Sequence, residues 1–542
     1  MIDTQKGKRY GGHASSTSLP RRARRGLSHS LMKYMRTLDQ PWVHAGNARV
    51  SLAVVLLSLT AGVCAQTVSV VPSVSVTETM TNNVGLDSVD TQSEQTTAIS
   101  PGIRMSIQHA RLKTYLDYSL SRVSYAHSTS ADNNQNALNT FGTLEALDNW
   151  VFVDFGGTIS QQTISAFGTQ SVNTTAINSN RTEVSNYHIS PYVHGNLGNA
   201  VGYEARLDRS TLSSSGDAAH SNTASTNSTI TLRNASAFKS MGWTANMSRQ
   251  RTGYSAGRST TSDIHSLGLT YTLNPHVNLS ANSGRESSNY TSEDQQSHAT
   301  SSVGLNWLLS DSTTLSVLRG ERSFGNTHSV NFSHRSARTV WTFSDSKDTS
   351  VSPAQSTTGS LGNTYDLLYS QFASIEPDPT ARAQMVNNYL QANGISPTAT
   401  VVSNFLTSAV SLQRSQNLSV ALLGLRDTVT FLATRTENSR LDTVSGSLDS
   451  LTSANMIIQK GLSVNYSHRL TPDSSLGVML SRQSTSGDTS EQQNSLKSLN
   501  VNLSTKVGKN TSASLGARRV MSANLANPYA ESAITGSLNV QF

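Results

Sequence analysis

From about residue 66 to its last residue, this chain alternates apolar and polar side chains with a period of two. Successive side chains of a strand point to opposite faces, so each such segment has one apolar wall and one wet wall. The final segment shows it most cleanly. Ile534, Leu538, Val540 and Phe542 share a side with Gly536, while Thr535, Ser537, Asn539 and Gln541 take the other. Leu462, Val464 and Tyr466 oppose Ser463, Asn465 and Ser467, and Leu499, Val501 and Leu503 oppose Asn500, Asn502 and Ser504. Near the front, Ile99, Ile103, Met105 and Ile107 oppose Ser100, Gly102, Arg104 and Ser106.

A soluble sandwich alternates too, but two features separate the cases. Many segments run roughly ten to fifteen residues, longer than the usual soluble strand and suited to a tilted membrane crossing. Tight links such as Leu273–His276, Leu309–Thr313, Thr471–Ser474 and Val507–Asn510 also alternate with long polar loops, among them 251–262, 439–453 and 487–493. Short turns at one end and longer loops at the other are the outer-membrane pattern. The expected fold is therefore all-β: an antiparallel transmembrane β-barrel of about 18–20 strands, porin-like, in the outer membrane of a Gram-negative bacterium. A strand ending in Phe542 fits the assembly signal read by the barrel-assembly machinery.

Composition agrees. Only 36% of residues are hydrophobic and 14% charged, with mean hydropathy −0.34, poor values for an ordinary soluble enzyme. The net charge of +7 suggests nucleic acid until it is located. The chain's 41 Lys and Arg and 34 Asp and Glu fall to 31 and 32 once residues 1–65 are set aside. No nucleic-acid partner is expected.

Residues 1–65 read as an extended front and a cleavable signal peptide. Arg49 precedes the apolar run Val50–Leu59, and Val63 and Ala65 meet the small-residue rule for cleavage before Gln66. Met32 or Met35 reads as the natural start. Cys64, the one cysteine, would be removed, since Val63 does not suit a lipidated precursor. Residues 66–542 are then the barrel.

A helical insert at about 345–402 interrupts the strands. Two helices are predicted, Thr364–Ser374 and Thr380–Asn393. The second has Asp378 as N-cap, Pro379 in the first turn, Gly394 past its end, and a stripe of Ala383, Val386, Tyr389 and Leu390. With a tight turn read at Ser415–Asn417, strand parity places the insert on the periplasmic side. There it would plug the lumen, shield the barrel mouth or meet a periplasmic partner. A weaker helical stretch is read over Asn136–Leu147.

Motifs for chemistry are missing. There is no Gly-x-Ser-x-Gly elbow, Walker loop or zinc-protease helix, so no catalytic residue, cofactor or metal is assigned and no enzyme is expected. His188 and His194 share a strand face but stand too far apart to ligate one metal. His328 and His334 read as lumen or loop residues. The informative polar residues are those expected inside the barrel: Arg104, Arg111, Lys113, Asp117, Glu204, Arg206 and Asp208. They either set the solute preference of a hydrated pore or form ion pairs that stiffen its wall. Trp150, Trp307, Tyr118, Tyr125 and Tyr466 suit interface girdles.

Pro72–Leu86, Ile99–Leu120, Trp150–Gly168 and Arg322–Trp341 resemble a family of outer-membrane barrels associated with PEP-CTERM and exosortase gene clusters. Asp378, Pro379, Arg382, Leu390 and Gly394, with Asn404–Leu412 and Gly424–Thr430, extend the resemblance over most of residues 70–542. Met105, Gln108 and His109 depart from the charged or Gly-rich turns usual there. The resemblance implies no active site. It implies a role in exopolysaccharide production or surface-protein sorting, with outer-membrane lipid and exopolysaccharide or periplasmic export components as partners. The expected function is a non-enzymatic channel or assembly component. Its rivals are a structural barrel that docks periplasmic or surface partners through the insert and loops, and a secreted Ser/Thr-rich β-solenoid adhesin. The adhesin should show an internal repeat, and none is seen.

Overall fold

The computed structural model describes residues 67–542 apart from 216–220, 235–239, 256–257, 353–364, 366–367, 370–378, 393–404, 408, 442–448 and 526. The segment expected to be an extended front and signal peptide, with Cys64, lies outside the described residues. The alternating segments become strands. The first eleven are β1 (Thr67–Thr81), β2 (Glu94–Gln108), β3 (Leu112–Tyr125), β4 (Asn133–Leu147), β5 (Val151–Thr163), β6 (Arg181–Leu197), β7 (Val201–Ser214), β8 (Thr223–Asn234), β9 (Met241–Tyr254), β10 (Thr260–Asn274) and β11 (Val277–Ser288). The others are β12 (Gln296–Ser310), β13 (Thr313–Arg322), β14 (Gly325–Arg335), β15 (Thr339–Ser350), β16 (Ser411–Leu423), β17 (Asp427–Arg440), β18 (Met456–Arg469), β19 (Ser474–Ser486), β20 (Gln493–Lys506), β21 (Thr511–Asn524) and β22 (Tyr529–Gln541).

They make one 22-stranded antiparallel sheet. Each strand pairs with its neighbours in the chain, and β1 also pairs with β22, Ser73–Thr81 running opposite Ala533–Gln541. The sheet is closed. Its backbone donors and acceptors meet each other without an edge, the condition for β-structure inside hydrocarbon. Closure with chain-neighbour pairing rules out the solenoid.

The strand number, 22, exceeds the 18–20 expected. One reason is β4, which occupies the stretch read as helical over Asn136–Leu147. Leu138, Phe141 and Leu144 are spaced by three, a helical spacing, but a barrel wall accepts apolar groups on both faces. Leu138 pairs with Ile159 and Leu144 with Val153 in β5, while Phe141, on the other face, stacks on Tyr115.

The two faces differ in company. Leu267, Leu269, Val303, Leu462, Leu480 and Ile534 are exposed on one of them. On the other, Asn494, Asn524 and Tyr529 of β20–β22 bond backbone carbonyls of Phe167, Gly168 and Gln170, in the loop that joins β5 to β6. Those strands lie several positions apart around the ring, so this loop crosses its interior side and marks the inner face. The exposed aliphatic face is the outer one. A closed barrel with an apolar outer belt is an outer-membrane protein. Among the described residues no helix is long and apolar enough to cross a membrane.

With an even strand number, Thr67 and Phe542 stand at one end. The links at that end are short, for example 109–111, 148–150, 198–200, 275–276, 311–312 and 424–426. The opposite end carries 82–93, 164–180 and 351–410, with 323–324 a short exception. Ser415–Asn417 is not a turn; it lies within β16. Strand parity corrected for this places the insert at the long-loop end, away from the termini, and not on the periplasmic side. β15 continues through Ser350, so the insert begins after it.

Tyr203, Tyr271, Trp307, Trp341 and Tyr466 stand near the short-link ends of their strands, and Trp150 stands in the link before β5. The Trp150 indole donates to the Tyr203 hydroxyl at 2.9 Å. Aromatic residues with a polar tip suit a membrane interface. Tyr125 does not join them. It is buried on the inner face with Val84, Ala98 and Val123, its hydroxyl donating to Thr175 O at 2.9 Å.

Leu86, in the loop between β1 and β2, has φ 56°, a left-handed conformation that strains a leucine by about 1–3 kcal/mol. Its side chain is fully buried among Ala176, Leu496, Val520 and Tyr529, which offsets the strain. Leu86→Ala keeps most of the strain and loses the packing, at an expected cost of about 2–5 kcal/mol. Protease should then cut within 82–93 faster than in the parent; an unchanged rate would refute this account.

Candidate lumen site

The insert supplies the helix that sequence punctuation foretold: α1, Pro379–Ala392. Of the helix expected over Thr364–Ser374, Tyr365, Leu368 and Tyr369 are described, and they are helical. Asp378 and Gly394 lie outside the described residues, as do the side chains of Tyr389 and Leu390. Ala383 and Val386 are fully buried, and with Tyr365 and Leu368 they pack on Tyr115 of β3. Phe141 and Tyr369 flank the cluster, with ring centroids 6.3 Å apart, and the Arg382 guanidinium lies 4.8 Å over the Tyr369 ring.

Polar contacts fix the same helix. Gln384 Nε2 donates to Ser106 Oγ at 2.9 Å, and Asn387 Nδ2 donates to the Tyr115 hydroxyl. That hydroxyl donates to Asp117 Oδ2 at 3.2 Å, and Asp117 also accepts from Arg104 Nε and Nη2 at 3.2 and 3.1 Å. Arg104 and Asp117 are direct register partners across β2 and β3. So two residues singled out in the sequence stand beneath the helix and orient its anchor, Tyr115. Ser106 and Tyr115 lie near the short-link ends of β2 and β3, whereas the insert leaves the wall at the other end. α1 is therefore seated roughly 30 Å along β3 from its long-loop end, at about 3.3 Å per strand residue.

A second cluster gathers on β5–β7. Arg206 Nη1 donates to Asp154 Oδ2 at 2.8 Å and to Ser190 Oγ at 3.0 Å, and Arg206 Nε donates to Glu204 Oε1 at 3.3 Å. Its guanidinium lies 3.9 Å over the Tyr192 ring. Tyr192 stacks on Phe152 at 5.2 Å, and Phe152 stacks on His194 at 4.9 Å. Thr143 Oγ1 completes the set by donating to Asp154 at 2.8 Å. Sequence reasoning missed Asp154, Phe152 and Tyr192. Extending the alternation of β5 would have placed Phe152 and Asp154 on one side against Val151 and Val153.

The remaining expected residues are spread out. Asp208 lines a cavity of about 190 Å³ with Asn227, Gln250, Val351 and Ser352. Arg111 sits in the link after β2 and pairs with the exposed Asp148 at 3.1 Å, on the short-link rim. Lys113 is exposed at the start of β3. His328 and His334 are on the outer face with Phe332, where His328 Nε2 meets Asp345 at 3.0 Å.

Near the long-loop end, the fully buried Glu286 accepts two hydrogen bonds from Arg322, at 3.1 and 2.7 Å. Arg322 also reaches Asp348 at 2.5 Å. Burial pushes the nearby Tyr290 phenol, in the loop after β11, above its ordinary value, against the pull of Ser262 and Arg322. Among the described residues no group of three or more His, Cys, Asp or Glu is placed to hold a metal ion.

No protein-family model matches the chain, and no curated protein sequence does. Solved barrels align along most of it at low identity. The siderophore receptor PirA from Pseudomonas aeruginosa is 9% identical over 87% of this chain and 80% of its own, with a TM-score of 0.41. The FrpB iron transporter from Neisseria meningitidis is 8% identical over 87% and 81%, with a TM-score of 0.46. The ferric-catecholate import receptor Fiu from E. coli is 7% identical over 87% and 81%, with a TM-score of 0.42. At these scores the likenesses carry no argument about what this chain binds. What stands on its own geometry is a 22-stranded outer-membrane barrel with a helix seated on its inner wall.

Proposed function

We propose that this barrel is an outer-membrane channel whose passage is governed by the segment between β15 and β16, without covalent chemistry. The observation that carries the reading is the seat of α1 on Tyr115 and Ser106, deep on the inner face and far from the insert's point of departure. In this reading Arg104, Lys113, Asp117, Glu204, Arg206 and Asp208 line the path and Arg111 guards its rim. Their mixed charge, beside Tyr192 and Phe152, favours polar, hydroxyl-rich solutes over simple ions. The family resemblance alone ties the channel to exopolysaccharide export or surface-protein sorting. Phe542 serves as the assembly signal; its backbone N–H donates to Pro72 O at 2.9 Å and so extends the seam.

The test is single-channel recording in planar bilayers. The parent should give brief, small openings. Asn387→Ala, which removes the bond to Tyr115, should lengthen them. A parent with steady wide conductance would overturn the governing role of the insert. Silence from parent, variant and insert-deleted protein would favour a structural barrel that docks partners. That second reading draws on the loop 164–180, which crosses to β20–β22 and covers part of the mouth.

A further inference from the structure

Outward residues on β17–β20 repeat one order. Beginning at the short-link end, three apolar or aromatic residues are followed by a cation. The series read Val429, Phe431, Ala433, Arg435; Tyr466, Val464, Leu462, Lys460; Leu476, Val478, Leu480, Arg482; and Leu503, Val501, Leu499, Lys497. All four cations are exposed, and they stand in a row just past the apolar belt, toward the long-loop end. On β21, Arg519 opposite Leu499 extends the row.

The row is electrostatically awkward. Arg435 lies directly opposite Lys460, and Arg482 directly opposite Lys497. Like charges in direct cross-strand register destabilise a sheet. Two other cations of the outer face meet carboxylates. Arg249 pairs with Asp263 at 3.3 Å and Arg414 with Asp345 at 2.9 Å. Within the patch Glu437 reaches Arg435. Lys460, Arg482 and Lys497 have no ion pair or side-chain hydrogen bond among the described residues. A sheet that tolerates this repulsion is one whose counter-charge comes from outside the chain.

The counter-charge must sit where apolar surface ends and water begins, at the end of the barrel remote from the aromatic girdle. That is the headgroup layer of the leaflet facing the long loops. The nearby Leu462, Leu480 and Leu499 offer acyl chains a surface below the cations. We infer that Arg435, Lys460, Arg482, Lys497 and Arg519 form a binding site for the phosphate groups of an anionic lipid in that leaflet. Phosphate suits it because several cations converge on one row, and Arg presents its paired donors to phosphate oxygens.

The experiment uses the full mature barrel in neutral detergent, with bound lipid counted by native mass spectrometry. Probes are bisphosphorylated lipid A, the same lipid with its phosphates removed, and inorganic phosphate. The parent should retain the phosphorylated lipid, the dephosphorylated lipid far less, and inorganic phosphate not measurably. Lys460→Gln/Arg482→Gln/Lys497→Gln should weaken retention by about a hundredfold, on the scale by which basic clusters gain affinity for anionic membrane surfaces. Arg249→Gln, at a cation that already has a carboxylate, should leave it unchanged. Equal retention by the triple variant, or of the dephosphorylated lipid, overturns the inference. So does equal retention of inorganic phosphate, which would mark a free-anion site. If the triple variant fails to assemble, raising salt on the parent decides: selective loss of the phosphorylated lipid supports the site, and unchanged retention sinks it.

Discussion

Replacing residues 353–404 with a short Gly-Ser link should turn brief, small openings into long-lived steps larger than those of 16- to 18-stranded porins. The replacement is structurally mild. Ser350 and Ser411 are register partners at the ends of β15 and β16, so the two strand ends already lie side by side and a short loop can rejoin them. Phe405 and Leu406, which pack on inner-face clusters, are kept. What is lost is the helix against Tyr115, and with it the matter filling that part of the lumen. A barrel of 22 strands without a filling is wider than a porin. If the shortened protein folds, as judged by its heat-dependent shift on a detergent gel, and conductance stays at parental values, the insert does not govern passage.

The second large effect is expected at Arg322→Met. Glu286 is 0% exposed and accepts two hydrogen bonds from Arg322. Removing the guanidinium strands a buried carboxylate, for which about 3–5 kcal/mol of destabilisation is typical. Thermal unfolding in detergent, followed by circular dichroism, should show a midpoint well below the parent's. Glu286→Gln combined with Arg322→Met should recover most of the loss, because the uncompensated charge is gone. A single variant as stable as the parent would mean that water, and not Arg322, already satisfies the Glu286 carboxyl. A double variant no better than the single would place the effect in packing.

How far the sequence could be read follows from where information sits in a barrel. Segments such as Leu499–Ser504 announce themselves, since lipid on one side and water on the other leave period two as the pattern. The helix at Pro379–Ala392 was legible for local reasons, a proline in the first turn and apolar residues at helical spacing. β4 was not, because Phe141 finds its partner inside the barrel at Tyr115, and nothing near it in the chain says so. Ser415–Asn417 looks like a turn by composition. Pairing of Ser415 with both Ser346 and Thr436 keeps it extended, and misreading it moved the insert to the wrong end. Arg206 and Glu204 were singled out by alternation alone, but Asp154 is 52 positions away in the chain, and register across β5–β7 brings it to Arg206. Local pattern gives facing; partnership is decided by pairings that span the chain.

The seam between β1 and β22 has a consequence for how such a molecule is made. Ser73 must find Gln541 before the first strand has its second neighbour, so nothing that leaves the ribosome early can reach its final state early. Until the last residues arrive, the chain exposes an unpaired border and a greasy flank to water at once. The ring is complete only when its two ends, far apart in the chain, lie side by side.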